Sequence, residues 1–134
     1  MKILIVEDSR ANLAVLRQYV EQFGATALCA ESGETALQLY EQNRPDLILL
    51  DIVLPGMDGL AVARQVRAME KGGDWTPIIF LSSLGKDDDI EKGIAAGGDD
   101  YLLKPISEIV LGAKIRAMQR LRSEEHTSEL QSQR

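Results

Sequence analysis

Residues 46–59 read DLILLDIVLPGMDG. Leu47, Ile48, Leu49 and Leu50 are apolar without the alternation of a half-exposed strand, so they read as a strand covered on both faces. Asp51 ends that strand, where an unpaired charge is expensive. Pro55 and Gly56 then turn the chain. Asp58 stands where a helix N-cap is wanted, ahead of a stripe made by Leu60, Ala63, Val66 and Met69. A buried strand followed by an amphipathic helix is the repeating unit of an α/β domain.

The same unit recurs on either side. Residues 3–6, 25–30, 78–81 and 101–103 read as four further strands, rich in β-branched residues or Leu. Helical stretches lie between them, for example the stripe Leu13, Leu16, Val20 and Phe23. Gly24 and the Gly97-Gly98 pair sit where helix C-caps are wanted, and Ser107 where an N-cap is wanted. Alternating strands and helices give a parallel sheet with right-handed crossovers. The expected fold is therefore α/β, a doubly wound five-stranded parallel sheet of order 2-1-3-4-5, flavodoxin-like, with five flanking helices. In that architecture ligands bind at the carboxyl ends of strands 1 and 3, where the winding reverses.

Bulk properties narrow the function classes. The chain has 134 residues, enough for one domain, with 45% hydrophobic and 27% charged content. A net charge of −6 argues against a nucleic-acid-binding surface, which needs clustered Lys and Arg. The longest apolar run is broken by Asp51 and is too short to span a membrane. The start, MKILIVEDSR, enters a strand with no apolar signal core, so the cytoplasm is expected. Cys29, the single cysteine, reads as a small apolar strand residue.

The residues just after the strands are Glu7 and Asp8, then Asp51, then Ser82 and Ser83, then Lys104-Pro105. Singly each has a bland reading: an acid at a helix N-terminus, a turn serine, a solvated lysine. Together they do not, because like charges about 4 Å apart repel by about 4 kcal/mol even at an effective dielectric of about 20. Three carboxylates without His or Cys suit a hard dication, and Mg²⁺ in particular takes few protein oxygens. With Lys104 alongside, Asp51 could act as a nucleophile toward phosphorus. The hydroxyl of Ser82 could then bond the transferred group.

VEDSRANL at residues 6–13, DLILLDIVLPGMDG, PIIFLSS at 77–83 and GGDDYLLKP at 97–105 resemble the receiver domains of two-component response regulators, including the single-domain chemotaxis type. The resemblance covers about residues 2–121. It implies that Asp51 is the phosphoacceptor, and that Asp8, Asp51 and the main-chain carbonyl of Val53 bind Mg²⁺, with Glu7 acting mostly through water. Lys104 is implied to contact the phosphoryl group, Ser82 and Tyr101 to form a switch pair, and the Lys104-Pro105 bond to be cis. The implied donor is a sensor histidine kinase or phosphotransfer protein. The implied readout is the surface of the fourth helix, fifth strand and fifth helix, offered to an output domain or partner. Such a domain is a phosphorylatable regulator and not a turnover enzyme. Glu7 stands where Asp is commoner, and Ser82 where Thr is frequent. Val53 and Ser83 occupy positions that influence dephosphorylation rate in this family.

The receiver domain is expected to end near Leu121. The sequence RSEEHTSELQSQR at 122–134 carries no apolar stripe and reads as a disordered tail, or as an artefact, since 122–132 resembles a translated sequencing-library adapter. Its His126 is set aside on that ground. AKIRAMQRL at 113–121 resembles the start of a helix leading into an output domain, a diguanylate cyclase or phosphatase being candidates. Charges from Lys104 to Arg120 are compatible with a homodimer through the last helix. Two rivals share the architecture. A flavodoxin-like cofactor binder should have a Ser-, Thr- and Gly-rich loop after strand 1, not Glu7 and Asp8. A phosphatase with an Asp nucleophile should carry a second Asp two residues later, where Val53 stands.

Overall fold

The computed structural model describes residues 1–83 and 87–132, with side chains at 1–83 and 88–123. Its elements alternate: β1 (Lys2–Val6), α1 (Arg10–Phe23), β2 (Thr26–Ala30), α2 (Gly33–Asn43), β3 (Leu47–Asp51), α3 (Gly59–Met69), β4 (Ile78–Ser83), α4 (Asp87–Ala95), β5 (Asp100–Lys104) and α5 (Glu108–Ser132). The strands form one parallel sheet in the order β2-β1-β3-β4-β5, as the sequence predicts.

The continuous apolar run of β3 resolves into two half-runs. Ile48 and Leu50 join Leu4, Val6, Ile78 and Phe80 in a layer closed by Ala36 and Tyr40 of α2 and Val62, Ala63 and Val66 of α3. Leu47 and Leu49 join Ile3, Ile5, Ile79 and Leu81 in the opposite layer, closed by Leu16 and Val20 of α1 and Leu111, Ile115 and Met118 of α5. Side chains alternate across a strand, so only a sheet covered twice can make all of Leu47, Ile48, Leu49 and Leu50 apolar and buried. Burying each such side chain contributes about 1.5–3 kcal/mol. The binding end of the sheet is thus built on a rigid floor.

Local signals hold the helix ends. Ser9 Oγ accepts from Asn12 N at 3.4 Å, Asp58 Oδ1 from Ala61 N at 2.8 Å and Ser107 Oγ from Val110 N at 3.3 Å. Gly24 closes α1 with φ +102°, a conformation that costs other residues strain. β2 starts at Thr26 and not at the expected Ala25, because Ala25 N still donates to Val20 O and completes the end of α1.

Away from the binding end, Arg67 of α3 gathers the amino ends of β4 and β5. Its guanidinium donates to Gly97 O at 2.9 and 2.7 Å, to Thr76 O at 2.8 Å and to Asp99 Oδ2 at 2.7 Å, and it pairs with Glu70. Asp99 also accepts from Ile78 N at 2.8 Å and from Trp75 Nε1 at 3.2 Å.

α5 runs on to Ser132, past Leu121 where the sequence reading ends the domain. No Gly or Pro lies in 122–132 to stop it, and a helix needs no apolar stripe to continue. Arg122 reaches back to Asp46 Oδ1 at 2.8 Å. His126 lies outside the described side chains, and residues 133–134 outside the described chain. Among the described residues no helix is long and apolar enough to cross a membrane.

Candidate functional site

Strand register assembles the site. Val6 pairs with Leu50, so the next residues, Glu7 and Asp51, leave adjacent strand ends. Asp51 pairs with Leu81, which sets Ser82 beside it, and Ser83 pairs with Lys104. A cleft of about 330 Å³ results, lined among others by Glu7, Asp8, Asp51, Val53, Ser82 and Lys104. A larger cleft of about 580 Å³ lies at the other end of the sheet against Trp75 and Met118, without a comparable cluster of carboxylates. Chemistry, not volume, singles out the smaller one.

One carboxylate oxygen each from Glu7, Asp8 and Asp51 lies within 4.8 Å of the others. Glu7 and Asp51 are buried, and Asp8 is exposed at the rim. Lys104 Nζ donates to Asp51 Oδ2 at 2.7 Å and reaches Glu7 Oε2 at 3.4 Å. Asp51 Oδ1 accepts from Val53 N at 3.0 Å, and Glu7 Oε1 from Asn12 Nδ2 at 3.1 Å. Burial, and then the hydrogen-bonding contact with Asp51, push the Glu7 carboxyl up to about 7, against the opposing pull of Asn12 and Lys104. Burial works against the Lys104 ammonium, yet Asp51 and Glu7 more than offset it and raise its pKa.

Oxygen donors, two of them buried, outnumber the single ammonium three to one. That donor set fits a hard, oxygen-seeking dication and offers nothing to a thiophilic metal. The backbone under Asp51 is equally constrained. A Cβ on Gly59 would stand 2.1 Å from Asp51 O, and Gly59 N donates to Ile52 O at 2.9 Å. The first turn of α3 is seated directly on the peptide of Asp51, and only a glycine permits it.

The structure therefore brings together seven of the eight residues singled out by sequence: Glu7, Asp8, Asp51, Val53, Ser82, Ser83 and Lys104. Ser82 is buried, with Oγ donating to Ser83 O at 3.3 Å. Tyr101 lies apart from the cleft lining, partly exposed, with Lys114 Nζ 5.8 Å from its ring centroid. It pairs with Phe80, two residues before Ser82, so it shares the sheet face of Ser82. The Lys104-Pro105 peptide is cis. Asn12, Ser9 and Asp89 also line the cleft and escaped the sequence reading. For Asn12 the spacing, one helical turn past Asp8, places the residue near the strand end but leaves open where its side chain turns.

Comparison with known proteins gives a consistent result. Residues 3–116 match the family model described as the response regulator receiver domain. The chain is 40% identical over 125 residues to the transcriptional regulatory protein AfsQ1 of Streptomyces coelicolor, covering 93% of this chain and 54% of that protein. It spans about half the length of the curated relatives it matches. A two-component response regulator from Clostridium difficile superposes with a TM-score of 0.82 at 32% identity, over 90% of this chain and 96% of that one. The co-crystal structure of the Saccharomyces cerevisiae histidine phosphotransfer protein Ypd1 with the receiver domain of Ssk1 matches with a TM-score of 0.79 at 27% identity, over 86% of each chain.

Proposed function

Because the chain belongs to the receiver domain family of two-component response regulators, we propose that it works as a phosphorylation-driven switch in which Asp51 is the acceptor. The observation that carries this reading is the cleft in which Asp51 meets Lys104 at 2.7 Å beside two further carboxylates. An Asp51 carboxylate oxygen attacks the phosphorus of a phosphohistidine. A new O–P bond forms, the donor's N–P bond breaks, and the departing imidazole takes up a proton. The product is an acyl phosphate on the chain itself, so the domain is modified and does not turn over an external substrate.

Asp8, Asp51 and the main-chain carbonyl of Val53 would hold Mg²⁺, with Glu7 acting through water. When bound, the ion supplies positive charge that lowers the cost of bringing a phosphoryl group to an acidic cleft. Lys104 stays with the acceptor and pairs with a phosphoryl oxygen after transfer. Ser82 turns its hydroxyl from Ser83 O toward the new group, and Tyr101 moves inward on the same sheet face. This biases the surface of α4, β5 and α5 toward a second packing.

A sensor histidine kinase or phosphotransfer protein is the donor class, supported by the co-crystallised relative. A cytoplasmic location follows from that donor class. The relatives named as transcriptional regulators add a DNA-controlling module to the cyclase and phosphatase candidates for an output. A homodimer through α5 stays among the readouts this surface could serve.

Incubation with a small phosphodonor and Mg²⁺, followed by intact-mass measurement, tests the reading. Wild-type protein gains the mass of one phosphoryl group, and Asp51→Asn does not. Equal gains in both would move the acceptor away from Asp51.

A further inference from the structure

We infer that Asn12 is a positioning residue for the acidic cleft, its side-chain amide fixing the Glu7 carboxylate and thereby setting how tightly the cleft takes a divalent cation. The inference rests on the cleft being a Mg²⁺ site and adds a residue from α1.

Asn12 is the third residue of α1 after the N-cap Ser9. At that position a long polar side chain can fold back to the N-cap main chain and complete a capping box. Here the main-chain N–H of Asn12 serves the cap, donating to Ser9 Oγ, while the side chain turns to the strand end and donates from Nδ2 to Glu7 Oε1 at 3.1 Å. The second Glu7 oxygen faces Lys104 Nζ at 3.4 Å, but Lys104 lies much closer to Asp51, at 2.7 Å. Of the two nitrogen donors at Glu7, Asn12 therefore makes the shorter contact.

Orientation matters because Glu7 is only 1% exposed. Water has little access to replace a lost donor, and a buried carboxylate freed on one side re-aims toward whatever cation is nearest. The nearest is Lys104. A Glu7 that swings fully onto Lys104 competes with Asp51 for the ammonium and withdraws an oxygen from the cation-binding side of the cleft. An ionised carboxylate accepts only, so the amide nitrogen, and not its oxygen, must face it. Asn12 itself is exposed, so its removal leaves the apolar layers intact.

Isothermal titration of the full chain with Mg²⁺ separates this role from helix capping and packing. Asn12→Ala is expected to raise the Mg²⁺ Kd about tenfold, the usual scale for a residue supporting metal ligands. Ser32→Ala removes the N-cap of α2, where Ser32 Oγ accepts from Thr35 N at 3.2 Å, at a residue outside the cleft lining. It should lower the thermal midpoint and leave the Kd within about twofold, below that same scale. In a Glu7→Gln background Asn12→Ala should have little further effect on the Kd, because the carboxylate it orients is gone. An unchanged Kd in Asn12→Ala, or an undiminished loss in the Glu7→Gln background, would overturn the inference while leaving the cleft a Mg²⁺ site. Absence of Mg²⁺ uptake by wild-type protein would instead overturn the underlying reading and this inference with it.

Discussion

At the amino ends of β4 and β5, Arg67 meets Glu70 and Asp99; at the carboxyl ends of β1 and β3, Lys104 meets Glu7 and Asp51, with Asp8 clustered beside them. Both clusters use ordinary acids and one base on the same sheet, yet they are finished differently. Around Arg67 the carboxylates also receive Thr76 N, Ile78 N and Trp75 Nε1, while the guanidinium spends its remaining donors on Gly97 O and Thr76 O. Donors and acceptors match, and the cluster ties α3 to two loops. Around Lys104 one ammonium pairs with two of three clustered carboxylates, Glu7 and Asp51, which also accept from the Asn12 amide and the Val53 main-chain N–H. A cluster satisfied from within is scaffold. One left with surplus negative charge is prepared for something that arrives from outside.

The largest expected effect lies at the scaffold end. Arg67→Ala leaves Glu70 and Asp99 partly buried without their cation and should cost about 3 kcal/mol in urea unfolding. Mg²⁺ affinity of the folded fraction should hold. A matching loss of Mg²⁺ affinity would break the contrast, since the two ends would then be coupled.

At the other end, removing a charge should help the fold. Asp51→Asn relieves repulsion among three acids, and its amide oxygen can still accept from Lys104. We expect the metal-free protein to gain about 1 kcal/mol in stability. Destabilisation on the scale of Arg67→Ala would show the cleft to be scaffold as well.

The third effect concerns pH. Burial pushes the Glu7 carboxyl up to about 7 in the folded chain against 4.5 for a free glutamate, so the folded state holds its proton more tightly. Its contribution to metal-free stability is fully present below 4.5 and is lost as pH rises through about 7. The stability difference between wild type and Glu7→Gln, followed across that window by urea unfolding, should therefore shift against wild type as pH rises. A difference that stays flat would show that the cleft does not raise the Glu7 carboxyl, and would break the picture of surplus negative charge pressing on it.

Sequence carried much of this because the cleft residues sit at strand ends, where a one-dimensional pattern fixes a three-dimensional address. Asp51 is found as soon as LILL is read as a strand, and Lys104 by the same reasoning two strands away. The Arg67 cluster escaped because its members have no shared period. Arg67 looks like the polar side of an amphipathic helix, and its partners at 70, 76, 97 and 99 lie in turns up to 32 residues away. Asn12 escaped for a related reason: the sequence marks a helix start, but which way a third-position side chain turns depends on what stands across from it. The two core layers were implied by an unbroken apolar strand, whereas the run of α5 to Ser132 rests on helix propensity that a search for apolar stripes does not register.

The close seating of Gly59 on the Asp51 carbonyl has a consequence for tolerance to mutation. A residue with no functional group becomes as irreplaceable as the aspartate it supports. Its missing side chain is what lets a buried aspartate and a helix share one peptide's worth of room. Drift at position 59 would be purged as strictly as drift in the chemistry, although nothing about a hydrogen atom participates in it.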